Sequence, residues 1–165
     1  MNKFKSEFLN IMHERGFYNQ CTNEEGFDAY LYECESKGKP AVGFLVSDPT
    51  GDSLHVGHIV PLMMMRWFQK CGHKPLTLVG GATARIGDPS GKDKLRPFLD
   101  EATLAHNIEG LKKSFRKFLK FGDGENDAVM VDNWDWFKDI NYLAFLRDIG
   151  TCYSVNRMLT MDSVK

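Results

Sequence analysis

Two histidines three positions apart, His55 and His58, stand on either side of Val56-Gly57 where a helix begins. Asp48, Pro49, Thr50, Asp52 and Ser53 crowd the approach to that helix. The first N–H groups of a helix have no intrahelical partner and carry a partial positive charge, so such a start suits an anion, above all a phosphate. Positions three apart share one side of the first turn, which sets both imidazoles on the same face. Gly57 has no Cβ and leaves room for a planar base or a ribose against the backbone. Imidazoles and helix N–H groups so placed stabilise charge that builds on phosphate oxygens during attack at an α-phosphorus. The stretch from Ser47 to His58 reads as a nucleotide site.

A histidine by itself is more often a satisfied structural residue than a ligand. Two neighbours shift the balance here. The Asp48-Pro49-Thr50 turn adds a carboxylate and a hydroxyl. A second loop, Gly87-Asp88-Pro89-Ser90-Gly91-Lys92, adds another carboxylate and a cation. It resembles a phosphate-cradling loop without being a P-loop, because Asp93 follows Lys92 where Ser or Thr is required. The Gly-x-Gly-x-x-Gly dinucleotide fingerprint is absent as well.

The elements that must position these residues follow from hydrophobic period and from turn chemistry. Phe4, Phe8, Ile11 and Met12 predict an amphipathic helix over residues 3–15, stopped by Gly16. A second helix is expected from an Asn23 cap to Ser36, with Phe27, Tyr30, Leu31 and Cys34 as its stripe. The unbroken apolar run from Ala41 to Val46 predicts a central strand buried on both faces. The helix after the signature carries Val56, Ile59, Val60, Met63, Met64, Trp67 and Phe68 as a core face and ends at Gly72. The Met63-Met64-Met65 run reads as core filling.

Leu76 to Val79 predicts a second buried strand, and strand–helix–strand order implies a parallel sheet with a right-handed crossover. Residues 82–92 read as a ligand-holding loop. A helix capped by Asp100 or Thr103 is expected to run to about Phe121 and stop at Gly122. Its Lys112, Lys113, Arg116, Lys117 and Lys120 read as a solvated face rather than an RNA contact. Ala128 to Val131 predicts a third strand, with Asp132-Asn133 at its end, and helices follow near 140–149 and from Ser154. The fold class is α/β: one Rossmann-like parallel sheet with flanking helices. Residues 1–40 form a helical N-terminal segment and residues 41–165 a nucleotide-binding half.

The 165 residues suffice for one domain, and a net charge of −1 gives no global basic field for nucleic acid. Four scattered cysteines show no metal or redox spacing. No apolar run approaches the ~18 residues of a membrane span, and the N-terminus lacks signal or transit character, so a cytoplasmic protein is expected.

At these residues a family becomes visible. Asp48-Pro49-Thr50 leading into His55-Val56-Gly57-His58 resembles the signature of class I aminoacyl-tRNA synthetases. Its pairing with Gly80-Gly81-Ala82-Thr83-Ala84-Arg85-Ile86-Gly87-Asp88-Pro89-Ser90-Gly91-Lys92 is similar to bacterial or organellar tyrosyl-tRNA synthetases. So are the stretches Phe145 to Gly150 and Ser154 to Leu159. The resemblance implies activation of tyrosine by ATP, with Mg²⁺ accompanying the nucleotide and no resident metal, then transfer to tRNA(Tyr) by a homodimer. It implies that Thr50 and His55 contact the polyphosphate, and that His58, Gly57 and Asp48 hold the nucleotide. Asp48 and Asp88 face tyrosine, while Lys92 and Arg96 embrace pyrophosphate.

Where the family has Tyr-x-Gly-Phe-Asp-Pro-Thr, this chain has Phe44-Leu45-Val46-Ser47-Asp48-Pro49-Thr50. Aligned without a gap, Phe44 stands for the tyrosine that bonds the substrate hydroxyl and Val46 for a glycine. Alternatively Gly43-Phe44 keeps register and Leu45-Val46-Ser47 is an insertion. The resemblance also implies an incomplete catalytic domain, without its second half, its Lys-Met-Ser-Lys-Ser-type loop or its anticodon-binding domains. Such a chain is expected to show little ligase activity alone. A small nucleotidyltransferase and a non-catalytic nucleotide-binding module are the rival readings.

Overall fold

The computed structural model describes residues 3–86 and 98–161. Two helices open the chain. α1 (Glu7–Glu14) buries Phe8, Leu9 and Met12, and α2 (Glu24–Lys37) buries Leu31. The Asn23 side chain accepts the N–H of Gly26 at 3.0 Å and starts α2, as its cap preference requires. Gly38, at φ 62°, ends α2 in the left-handed conformation that glycine adopts without steric penalty.

The sheet is parallel, with strand order β1-β2-β3: β1 (Val42–Ser47), β2 (Lys74–Val79) and β3 (Val129–Asp132). Val42 pairs with Lys74 and Leu76 with Val129, so all three strands point the same way. α3 (Val56–Lys70) crosses from β1 to β2, and α5 (Glu101–Phe115) lies on the path from β2 to β3. Leu62, Val79, Leu111, Phe115 and Leu119 form the core between these helices and the sheet, joined by Leu45 and Met130. A second cluster joins Phe8, Met12 and Leu31 to Phe68 of α3, with the Phe8 and Phe68 rings 5.1 Å apart at 76°. The N-terminal helices are thereby fastened to the α/β unit through one shared core. Complete burial of side chains such as Leu31 and Leu62 stabilises the fold by ~1.5–3 kcal/mol each.

The structure corrects several expectations. β1 is not a central strand buried on both faces. Among the described residues it pairs with β2 alone, and Val42, Phe44 and Val46 are exposed. On the opposite face Leu45 packs against the core formed by Leu62 of α3 and Leu111 and Phe115 of α5. Leu62 and Phe68 are the buried residues of α3, whereas Val56, Ile59 and Val60 of its expected core face are exposed. Met64 and Met65 pack into the core as read, and Met63 joins neither cluster.

The loop expected from residue 82 begins instead as a short helix, α4 (Gly81–Ile86), and residues 87–92 of it lie outside the described residues. α5 ends at Phe115 rather than near Phe121. There Gln69 of α3 donates to the carbonyls of Lys120 and Asn126 and accepts the N–H of Lys120, which draws the chain into its approach to β3. α6 (Trp134–Phe137), α7 (Tyr142–Asp148), a 3₁₀ turn (Gly150–Cys152) and α8 (Val155–Met158) complete the order.

Candidate active site

Parallel strands bring three chain segments to one edge: the turn after β1, the start of α4 after β2, and Asp132-Asn133 after β3. Ligands of open α/β sheets bind outside this carboxyl edge. The sheet hydrogen bonds run up to that edge, with Gly80 N–H on the Ser47 carbonyl at 3.0 Å and Asn133 N–H on the Val79 carbonyl at 3.1 Å.

His55 is the N-cap of α3 and His58 lies in its first turn. His55 Nδ1 accepts the N–H of Gly57 at 3.1 Å, and His58 Nδ1 accepts the N–H of His55 at 3.3 Å. Each side chain therefore satisfies a donor that the helix start would otherwise leave orphaned. A neutral imidazole that accepts at Nδ1 carries its proton on Nε2. Both histidines thus hold an Nε2–H donor. Their ring centroids are 3.9 Å apart, and His58 titrates below the ordinary histidine range because of partial burial and then the neighbouring His55 charge.

Gly57 is needed here for a local reason too. A Cβ on it would stand 2.9 Å from Cε1 of His55, so the cap requires the missing side chain. Asp48 leaves β1 with its carboxylate accepting Thr83 Oγ1 of α4 at 3.2 Å. Thr50 is exposed in the turn, its N–H bonded to the Asp48 carbonyl at 2.9 Å. Phe44 lies on β1, 68% exposed. Asp48, Thr50, His55, Gly57 and His58 are thus gathered around one strand end, while Asp88, Lys92 and Arg96 lie outside the described residues.

Three residues at this edge were not singled out from sequence. Asp132 Oδ1 accepts the N–H of Gly81 at 3.1 Å, Asn133 Oδ1 accepts that of Ala82 at 2.6 Å, and Thr83 holds Asp48. An Asp-Asn pair directly after a strand was the available signal, and it reads locally as nothing more than a strand end. Arg85 of α4 lies over the Trp134 ring at 4.0 Å and pairs with Glu101 at 2.5 Å. A cavity of about 370 Å³ opens beside it between α4, α6 and α7.

The family described as tRNA synthetases class I (W and Y) matches residues 36–165. The chain belongs to that family. Within the synthetases, it is 49% identical over its whole length to a tyrosine–tRNA ligase of Nitrobacter winogradskyi and spans 38% of that relative. It is 48% identical over 161 residues to the tyrosine–tRNA ligase of Rhodospirillum rubrum, of which it spans 37%. The chain therefore spans under two fifths of the length of these relatives. A C-terminally truncated mitochondrial tyrosyl-tRNA synthetase of Aspergillus nidulans superposes with a TM-score of 0.77 at 26% identity, covering 95% of this chain and 46% of that one. The corresponding Coccidioides posadasii structure gives a TM-score of 0.71 at 28% identity, covering 95% and 43%. Membership of the synthetase family favours that reading over the small nucleotidyltransferase.

Proposed function

We propose that this chain is the nucleotide-binding part of a tyrosine–tRNA ligase, which activates tyrosine with ATP and transfers the tyrosyl group to tRNA(Tyr). The observation that carries the reading is the imidazole pair at the start of α3, each Nδ1 tied to the backbone and each Nε2–H left for a ligand. The names of the relatives support the choice of tyrosine.

In the proposed reaction a carboxylate oxygen of tyrosine attacks the α-phosphorus of ATP. The new O–P bond forms as the α–β bridging bond breaks, and pyrophosphate leaves with the electron pair. Negative charge grows on the phosphate oxygens. The Nε2–H groups of His55 and His58 and the hydroxyl of Thr50 are the donors assigned to meet it. Asp48 and Gly57 take the nucleotide side, and Phe44, Asp48 and Asp88 take tyrosine. Lys92 and Arg96 hold the leaving pyrophosphate. Catalysis is then positioning and charge stabilisation, with no covalent enzyme intermediate.

Among the described residues no group of three or more His, Cys, Asp or Glu is arranged to hold a metal ion. Mg²⁺ is proposed to enter with the phosphates of ATP, as the family resemblance implies. Residues 1–40 act as a helical segment and residues 41–165 as the nucleotide-binding half, a division supported by the sheet starting at Val42. A homodimer is proposed, supported by the run of exposed apolar residues Trp136, Phe137, Ile140, Leu143, Leu146 and Ile149. The cytoplasm is the proposed location, and none of the described helices is long and apolar enough to cross a membrane.

Tyrosine-dependent ATP–pyrophosphate exchange tests the reading. A chain of the relatives' length that begins with these residues is expected to exchange, and the 165-residue chain to bind ATP with little or no exchange. Lack of exchange by the longer chain would sink the ligase assignment. ATP binding without exchange by either chain favours the non-catalytic module.

A further inference from the structure

The turn that carries Thr50 and leads into His55 has no regular structure of its own, and α5 holds it from outside. Asn107 is buried, and its Nδ2 donates to the Pro49 carbonyl at 3.0 Å across 58 residues of sequence. Pro49 is itself fully buried. Almost one helical turn further along α5, Gly110 meets the backbone of Asp52. A Cβ there would stand 2.7 Å from the Asp52 carbonyl carbon and 2.9 Å from its Cα, with the carbonyl oxygen nearer still. These are main-chain atoms, so no rotamer change relieves the contact. His106 Nε2 faces the Asp52 carboxylate at 3.7 Å. Positions 106, 107 and 110 lie on one side of the helix, and all three meet the segment Pro49 to Asp52.

We propose that Asn107 and Gly110 are positioning residues: they fix the height of the turn over the sheet edge, and through it the placement of Thr50, His55 and His58. Asp52 is only three residues from His55. A displacement of its backbone therefore passes into the α3 cap with no flexible side chain between. Asn107 fixes the other end of the turn by a directed bond, and a buried carbonyl robbed of its donor has no substitute there.

The test uses the 165-residue chain with labelled histidines and follows imidazole nitrogen shifts by NMR. Gly110→Ala and Asn107→Asp are compared with Phe115→Leu, which loosens the same helix from the core without touching the turn. The first two are expected to shift the His55 and His58 resonances and to raise the His58 titration midpoint as its partial burial and the neighbouring His55 charge are relieved. His13 and His73 should stay in place, and Phe115→Leu should leave all four unchanged. Unmoved His55 and His58 signals in a folded Asn107→Asp protein overturn the proposal, as does the same pattern in all three variants.

A second arm rests on the nucleotide reading. ATP titrated into the same samples is expected to bind about tenfold more weakly to the two turn variants than to the parent chain. Shifted imidazoles in a parent chain that binds no ATP uphold the positioning role and count against the nucleotide assignment. The two ideas therefore fail separately.

Discussion

His58 Nδ1 accepts the N–H of His55 at 3.3 Å, so the two histidines cap the very helix that presents them. Capping and ligand contact are thereby assigned to opposite nitrogens of each ring. That division can be separated by substitution.

His58→Asn places an amide oxygen where Nδ1 was and removes the Nε2–H donor. Its unfolding free energy is expected to stay within about 0.5 kcal/mol of the parent. His58→Ala loses the cap as well and is expected to cost about 1 kcal/mol. Urea denaturation distinguishes them, and ATP titration should show both variants weakened alike. Retained ATP affinity in His58→Asn would remove the Nε2–H role.

Stability should fall as the solution is acidified, and His73 is a principal cause. The ring is buried, stacked on Phe68 with centroids 4.6 Å apart, and its Nδ1 accepts the Ala41 N–H at 3.3 Å. Nε2 faces Glu35 of α2 at 3.5 Å, and Glu35 in turn accepts the Glu7 N–H that opens α1. Burial holds the His73 titration below the ordinary value of 6.5, although Glu35 and Glu7 oppose the shift. The unfolded chain then takes up a proton before the folded one. Stability is full above ~6.5 and declines below it, by at most about 1.4 kcal/mol per pH unit for one proton. His58 contributes in the same direction. His73→Asn keeps an acceptor for Ala41 and cannot titrate, so its denaturation midpoints between pH 5 and 7 should vary less. An unchanged slope argues against His73.

Phe44 and Leu62 mark the two sides of the sheet layer. Phe44→Tyr adds a hydroxyl on the open face and is expected to change stability by under about 0.5 kcal/mol, whereas Leu62→Ala empties the core and should cost about 2–5 kcal/mol. In a chain long enough to turn over, Phe44→Tyr should alter KM for tyrosine and leave KM for ATP alone. A changed KM for ATP alone would move Phe44 out of the tyrosine site.

Cys71 should resist alkylation. Burial, with Glu7 and Glu35 nearby, pushes its thiol up to about 12, so almost no thiolate exists at neutral pH. Cys152 is exposed. Iodoacetamide at pH 8 is expected to label Cys152 first and spare Cys71 in the folded chain, as read by peptide mass spectrometry. Early labelling of Cys71 would contradict the raised thiol.

Local chemistry made much of the fold readable. The Asn23 cap, the positive-φ glycines Gly16, Gly38 and Gly72, and the helix that starts at the histidines all follow from short-range rules. α4 was not readable, because Gly80 to Ala84 resembles a loop and its first N–H groups are capped by Asp132 and Asn133, about 51 residues away. The end of α5 was hidden for the same reason. Periodicity runs on past Phe115, while Gln69 of another helix claims the backbone at Lys120.

The sequence by itself determined the three strands and their order in the chain, most of the helices between them, and the parallel α/β class, since turn preferences and hydrophobic period act over a few residues. Only the tertiary structure decided that β1 keeps one face open, that each signature histidine has one nitrogen committed to the backbone, and that Asn107 and Gly110 press against the turn before them. Those facts depend on which surfaces meet after the chain closes. An apolar run states that a strand is to be covered, and packing alone settles from which side.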